Sequence, residues 1–347
     1  LRVLHRQQVL AELVSAHRTV AVAGTHGKTT TTVMTATLLR RAGLDPSYLI
    51  GAGCAALGGH ARCGRGPHLV LEVDESDGRF LGFSPELALV TSVGLDHLNH
   101  YGDHAALLDS FDRYLDQSAR AVLCADDAGC RALLDRHPRA LSYGLCPDAD
   151  LVAANVSQSD FQTRFTLRFR GRELGRVVLP LPGLHNVYNA LGALLAGWSL
   201  GLPFARTLPL LAGFQLPERR VEVVYRNGVV LVDDYAHLPE QVAVNLQTVR
   251  ANWPGRVVAL FQPHRFSRMR HLGAQFGPAF AEADLVGVTD IYPAFEAPIP
   301  GVDGRGVFEQ VARHAGRARY LPGPGAVTRF LERELAAGLT LDEATMR

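Results

Sequence analysis

Little in this chain pulls its charge one way. Lys and Arg number 35 and Asp and Glu 34, a net charge of +1, whereas a general nucleic-acid binder shows a basic surplus. Nucleic acid is therefore not an expected partner. Long apolar runs are missing as well: none approaches the roughly 20 residues that cross a bilayer, so membrane insertion is not expected. Cysteines are few and odd in number (Cys54, Cys63, Cys124, Cys130, Cys146), with no C-x-x-C pair. That pattern predicts small buried or half-buried thiols in a reducing compartment, not disulfides or zinc. No signal-peptide pattern precedes the first motif, and the expected location is the cytoplasm. What is present is apolar substance. A 47% hydrophobic and 20% charged composition allows a sizeable core and argues against disorder. A length of 347 residues suits two domains.

Strand and helix patterns alternate through most of the sequence, the mark of a parallel α/β architecture. Apolar strands are expected at Thr19–Gly24, Ser47–Ala52, His68–Asp74, Leu87–Val93 and Ala121–Cys124, with helices at Lys28–Ala42 and His104–Gln117. From Asp150 to Leu179 the period changes to two, around a turn at Gly171, which predicts an antiparallel hairpin at the edge of the main sheet. Leu181–Gly201 is mostly helical, and Gln215-Leu216-Pro217 marks a hinge. Beyond it a second α/β unit is expected, with strands at Val221–Tyr225, Val229–Asp233, Arg256–Phe261, Asp284–Asp290 and Ala318–Leu321. No internal repeat or low-complexity segment is visible.

The stretch AVAGTHGKTTTT, Ala21 to Thr32, carries chemistry but breaks the common phosphate-loop spelling. That spelling places four free positions between its first Gly and Gly-Lys-Ser/Thr. Here Val22 stands where the first Gly belongs, and Gly24 lies three residues before Gly27. The context is nonetheless that of an anion site: a strand ends at Gly24 and a helix starts near Lys28. Backbone N–H groups at a helix start, with the helix dipole, attract phosphate. Glycines let the backbone approach it closely. Lys28 can reach the outer phosphates and Thr29 offers a hydroxyl to Mg²⁺. Glu72, closing the strand at His68–Val73, stands at the carboxyl edge where parallel sheets hold ligands and can share that Mg²⁺ with Thr29. Asp74, Glu75 and Asp77 fit further metal ligands and a solvated acidic turn equally well.

Seven blocks in order, GTHGKTTTT, EVDESDGRF (Glu72–Phe80), GLDHLNHYGD (Gly94–Asp103), PGLHNVYNA (Pro182–Ala190), ERRVE (Glu218–Glu222), DDYAHLP (Asp233–Pro239) and FQPHRFSR (Phe261–Arg268), closely resemble the Mur ligases from about residue 5 to about 315. The resemblance implies a P-loop ATPase-type central domain with a mostly parallel sheet (residues 18–215) and a C-terminal Rossmann-like α/β domain that binds the amino acid (216–347). Residues 1–17 then form the remnant of a linker. It further implies an amide ligase using ATP and Mg²⁺ through an acyl phosphate, with UDP-N-acetylmuramate and L-alanine as substrates, acting as a monomer or weak dimer.

Carried over residue by residue, the resemblance places ATP on Gly24, Thr25, His26, Gly27, Lys28, Thr29 and Thr30. It gives Thr29, Glu72 and His97 to metal, His97 to a second Mg²⁺. It sets Asn186 and Asn189 against the adenine side of ATP with His185 beside them, although on their own these asparagines read equally as helix caps. Arg220 would contact phosphate and Asp234 the ribose or hinge, both arriving over a cleft between the units. Lys28, Glu72, His97 and Arg220 make up the implied catalytic set. His264, Arg265 and Arg268 follow one apolar strand and Tyr235 and His237 another, and an arginine fork suits the alanine carboxylate.

The chain departs from the family pattern in places. Leu238 stands where a second His is usual before Pro239, and the C-terminal stretch lacks an expected Gly-Ala-Gly turn. Only 23 residues precede Gly24, where the family carries a UDP-sugar domain of about one hundred. A shortened front end is therefore expected to bind the sugar nucleotide poorly. A ligase that attaches a whole tripeptide remains a close alternative, although Ser76 disfavours it because such enzymes usually carry Tyr there. A non-catalytic nucleotide-binding remnant is a third reading.

Overall fold

The computed structural model describes residue 3 and residues 6–94, 98–159, 161–215 and 219–336. They divide into two compact units, ending and beginning at Glu218 and Arg219.

The first unit is built on one 10-stranded sheet. Its strands are β1 (Arg18–Ala23), β2 (Ser47–Leu49), β3 (Ala61–Arg62), β4 (His68–Glu72), β5 (Leu87–Val90), β6 (Arg120–Cys124), β7 (Leu141–Gly144), β8 (Leu151–Ser159), β9 (Gln162–Phe169) and β10 (Arg172–Leu179). In space they run β10-β9-β8-β7-β6-β5-β1-β4-β2-β3. From β8 across to β2 every neighbouring pair is parallel, while β3, β9 and β10 pair antiparallel at the two ends. The parallel strands β1, β4 and β5 are buried along most of their length, as continuous apolar runs in a covered sheet must be. Helix α1 (Arg6–Ala16) precedes β1, and α2 (Lys28–Arg41), α3 (Leu98–Tyr101), α4 (His104–Asp116), α5 (Ala128–Arg136), α6 (Leu184–Ser199) and α7 (Phe204–Thr207) connect or follow the strands. The core includes Phe80, Phe111 and Tyr114, whose rings lie 5.0 to 5.2 Å apart.

The chain goes from β1 out to β2 and β3, returns to β4 beside β1, then crosses to β5 on the other side of β1. That reversal is a topological switch point, and ligands bind at the carboxyl ends of strands there. The loops after β1, β4 and β5 share this edge. Strands β3 and β7 and helices α1 and α5 are additions to the sequence-based reading. Each is short or interrupted by polar residues, so its apolar period is weak.

In the second unit β11 (Glu222–Asn227) and β12 (Val229–Asp233) form an antiparallel pair turning at Gly228, while β13 (Val258–Phe261), β14 (Leu285–Thr289) and β15 (Ala318–Leu321) form a separate parallel sheet. Helices α8 (Pro239–Asn252), α9 (Phe266–Leu272), α10 (Phe276–Ala279), α11 (Gly304–Ala312) and α12 (Pro324–Ala336) complete it. The five expected strands are present, but the first two satisfy their backbone groups with each other instead of joining the parallel sheet. Phe261, Phe276 and Phe280 centre this unit's core. All five cysteines are free thiols; Cys63, expected to be at least half-buried, is exposed.

Candidate functional site

Gly24 and Gly27 are where the loop requires glycine. Gly24 has φ of 127°, and a Cβ there would lie 2.4 Å from Thr91 Oγ1 and 2.7 Å from the Ser92 carbonyl. Gly27 has φ of 80°, and its Cβ would meet Asn189 Oδ1 at 2.6 Å. The loop is thus clamped against the end of β5. Thr25 N donates to the Ser92 carbonyl at 2.9 Å and His26 N to Ser92 Oγ at 3.0 Å. Thr91 Oγ1 donates to the His26 carbonyl, and Gly94 N to Thr25 Oγ1 at 2.7 Å. Helix α2 starts at Lys28, with Thr29 and Thr30 buried in its first turn. A short spelling still produces a strand–loop–helix turn because the residues after β5, not an extra residue, shape the loop.

Carboxylates flank that helix start. Thr29 Oγ1 donates to Glu72 Oε1 at 2.9 Å, and Gly51 N donates to Glu72 Oε2 at 2.7 Å. Lys28 Nζ donates to the Gly24 carbonyl at 2.5 Å and pairs with Glu75 Oε1 at 2.8 Å. The acidic turn after β4 is therefore not uniformly solvated. Glu75 is 1% exposed at its side chain, while Asp74 and Asp77 are spent on local turns, accepting from Ser76 N and Arg79 N. The Tyr101 hydroxyl donates to the Glu75 carbonyl. Burial, and then the Glu75 charge, push its pKa up to about 12. His97, expected to hold a second metal, lies outside the described residues.

Asn186 and Asn189 do not cap α6, whose N-cap is Gly183. Both are buried. Asn186 Nδ2 donates to the Pro182 carbonyl at 2.7 Å, and Asn189 Oδ1 accepts from Thr31 Oγ1 at 3.0 Å. Asn189 thus braces α6 against α2 directly beneath Gly27. His185 is half-buried one residue before Asn186.

The second unit gathers its own cluster. The rings of Tyr235, His237 and His264 lie 5.1 to 6.1 Å from one another, and Tyr292 stacks on His264 at 5.7 Å. Arg268 Nη1 lies 2.8 Å from His264 Nδ1, and the Arg220 guanidinium stands 6.0 Å from the Tyr235 ring centre. Arg265 takes φ of 70° at the N-cap of α9, a strained value for a side-chain-bearing residue, and its N–H donates to the Tyr292 carbonyl at 2.8 Å. Arg220 is flanked by Arg219 and Val221, both at positive φ. Asp234 fixes that bend, accepting from Val221 N and Ala236 N at 2.6 Å each. Burial raises the Asp234 pKa. Burial lowers that of His237 to about 4 and also lowers that of His264, with the nearby Arg268 acting in the same direction on both. Both imidazoles are therefore neutral near pH 7, which leaves the arginines as the cations of the cluster. Leu238, standing where the family has His, is the buried N-cap residue of α8.

Sequence reading missed Thr91, Ser92, Tyr101 and Tyr292. A polar pair ending an apolar strand was a usable signal for the first two. Nothing local marks Tyr101 or Tyr292, because only the fold carries them to their partners.

The Mur ligase middle domain matches residues 22–197, and the Mur ligase glutamate ligase domain matches residues 219–344. The UDP-N-acetylmuramate–L-alanine ligase of Gloeobacter violaceus is 44% identical over 339 residues, 97% of this chain and 73% of that protein. The ligase of the same name from Syntrophotalea carbinolica is 40% identical over 342 residues, 97% of this chain and 75% of its own. Among solved structures, the UDP-N-acetylmuramate–alanine ligase of Thermotoga maritima superposes with a TM-score of 0.79 at 26% identity, covering 96% of this chain and 79% of that one.

Proposed function

The chain belongs to the Mur ligases, and from that premise we propose that it joins L-alanine to UDP-N-acetylmuramate in peptidoglycan precursor synthesis, with ATP converted to ADP and phosphate through an acyl phosphate. The observation that carries this reading is the placement of Lys28, Thr29 and Glu72 together at the switch point of the sheet, in a chain whose relatives of that name match it over 97% of its length. Residues 18–215 are assigned to the nucleotide and residues 216–347 to the amino acid.

Phosphoryl transfer is mostly charge neutralisation and alignment. Lys28 supplies a cation at the loop, and the N–H groups at the start of α2 supply dipoles. Thr29 Oγ1 and the Glu72 carboxylate, 2.9 Å apart, form a hard oxygen pair that fits Mg²⁺. Mg²⁺ commonly takes its remaining ligands from substrate phosphates and water. When bound, that Mg²⁺ would neutralise charge developing on the transferred phosphoryl group. His97 is assigned to a second ion. Thr30, His185, Asn186, Asn189, Arg220 and Asp234 are assigned to ATP, the asparagines by shaping the loop from below.

Tyr235, His237, His264, Arg265 and Arg268 are assigned to L-alanine. With both imidazoles neutral, the carboxylate is gripped by guanidinium. No helix among the described residues is long and apolar enough to cross a membrane; a cytoplasmic protein acting as a monomer or weak dimer is part of the same proposal. The test is ADP release with UDP-N-acetylmuramate, Mg·ATP and L-alanine. Release that needs all three supports the ligase. Release with a tripeptide but not with L-alanine transfers the assignment to the recycling enzymes, and nucleotide binding without turnover leaves a binding remnant.

A further inference from the structure

The phosphate loop already holds an anion of its own. Glu75 is buried to all but 1% of its side chain, and its Oε1 lies 2.8 Å from Lys28 Nζ, itself 19% exposed. The contact is not an accident of a mobile surface chain. Glu75 leaves the carboxyl end of β4 three residues after Glu72, and its carbonyl is pinned by the Tyr101 hydroxyl. The turn after it closes with Glu75 accepting from Gly78 N at 3.1 Å. Lys28 is held from the other side by the Gly24 carbonyl at 2.5 Å. Two of the three ammonium hydrogens are therefore committed, one to a full negative charge.

We propose that Glu75 is the resident counter-ion of this loop and competes with nucleotide phosphate for Lys28, so that it tempers the grip on ATP and on ADP. This rests on the reading of Lys28 as a phosphate ligand. The physical case has two sides. Without Glu75, an ammonium at a helix start would be exposed to the positive end of the dipole with no counter-ion. A half-buried cation without a counter-ion is costly, so the carboxylate offsets that cost and aims Lys28. The same carboxylate cancels part of the field that draws in phosphate, and its repulsion acts in a site of low dielectric where charges are poorly screened. Glu75 is thus a positioning residue that weakens nucleotide affinity while keeping its partner ready, which favours departure of ADP after each turnover.

The test uses the 347-residue chain with Mg·ATP and Mg·ADP as probes, titrated by calorimetry. Glu75→Gln keeps size and an acceptor oxygen but removes the charge. It is expected to bind both nucleotides about 3- to 10-fold more tightly than the parent chain, a change of up to one decade in Kd. Glu75→Asp restores the charge at a longer reach and is expected to fall between the two. A merely structural role would weaken binding in both variants together with the thermal midpoint. Binding by Glu75→Gln that is unchanged or weaker overturns the inference, as does equal tightening by Glu75→Asp. If Glu75→Gln does not fold, Glu75→Asp decides alone: tighter binding than the parent supports the inference, and unchanged or weaker binding overturns it. A parent chain that binds no Mg·ATP removes the phosphate-loop assignment and this inference with it; a parent that binds, with an unaltered Glu75→Gln, removes this inference only.

Discussion

Lys28, proposed as a phosphate ligand, is also a structural residue, because its removal leaves the Glu75 carboxylate buried without its cation. Breaking one side of such a pair costs roughly 3–5 kcal/mol in buried settings, and the partial exposure of Lys28 reduces this to about 2 kcal/mol. Lys28→Met is therefore expected to lose Mg·ATP binding and to lower the thermal midpoint by several degrees. Adding Glu75→Gln should recover most of the midpoint but none of the binding; a Lys28→Met protein that melts like the parent would contradict the pairing. The grouping of Lys28, Thr29 and Glu72 at one sheet edge was legible because strand ends and helix starts are visible in apolar patterning. The sequence left Glu75 level with Asp74 and Asp77, since burial of one acid in three depends on where Tyr101 and Lys28 arrive. At His237 the expected observation is an imidazole titrating near 4 instead of about 6.5. The unfolded chain then binds that proton more readily than the folded one, so acid between about 6.5 and 4 favours unfolding and stability is regained above that window. Proton NMR of the His237 ring would show it, and a midpoint at or above 6.5 would refute the buried placement.

At the scale of elements, the junction of β1 and α2 depends on three neighbours that the chain contributes much later: Thr91 and Ser92 after β5 and Asn189 in α6. Gly27→Ala puts a methyl group at φ of 80° and 2.6 Å from Asn189 Oδ1, so the loop must shift away from α6. A rise of at least tenfold in the Kd for Mg·ATP is expected, with circular dichroism confirming an intact fold. If affinity stays at the parent's level, the loop does not depend on that close approach. Much of the element order was legible: the runs Thr19–Gly24, His68–Asp74, Leu87–Val93 and Ala121–Cys124 read as strands, one to three residues too long at the ends of the first three, because covered parallel strands are apolar throughout. The asparagines of α6 were not legible. A polar residue early in a helix looks like a cap until the packing of α6 against α2 buries it. The separate pairing of β11 with β12 was equally hidden, because a strand's composition does not reveal which neighbour takes its hydrogen bonds.

Across the whole molecule the acid response is expected to divide between the two units. In the first, His68 starts β4, is 4% exposed, and has no hydrogen-bond partner among the described residues for either ring nitrogen. Burial lowers its pKa, the Arg18 guanidinium adds to the effect, and Glu86 opposes it. In the second unit His237 and His264 are lowered in the same direction. Each of these groups folds neutral, so each unit loses stability as the pH falls below about 6.5, where the unfolded chain takes up the protons. Below about 4 a further loss follows as the acids whose pKa values are lowered, Glu86 and Asp126 in the first unit and Asp284 and Glu296 in the second, take up protons. His68→Leu removes two unpartnered nitrogens, a burden of about 1–3 kcal/mol, together with the charging penalty. Hydrogen exchange at pH 5.5 and pH 8 is the suitable measurement because it reads each unit separately. Peptides from residues 6–215 should gain protection in His68→Leu, more at pH 5.5 than at pH 8, while those from 219–336 stay at parental rates. A gain equal at both pH values would reduce His68 to a packing defect, and a gain spread over both units would mean that they unfold as one.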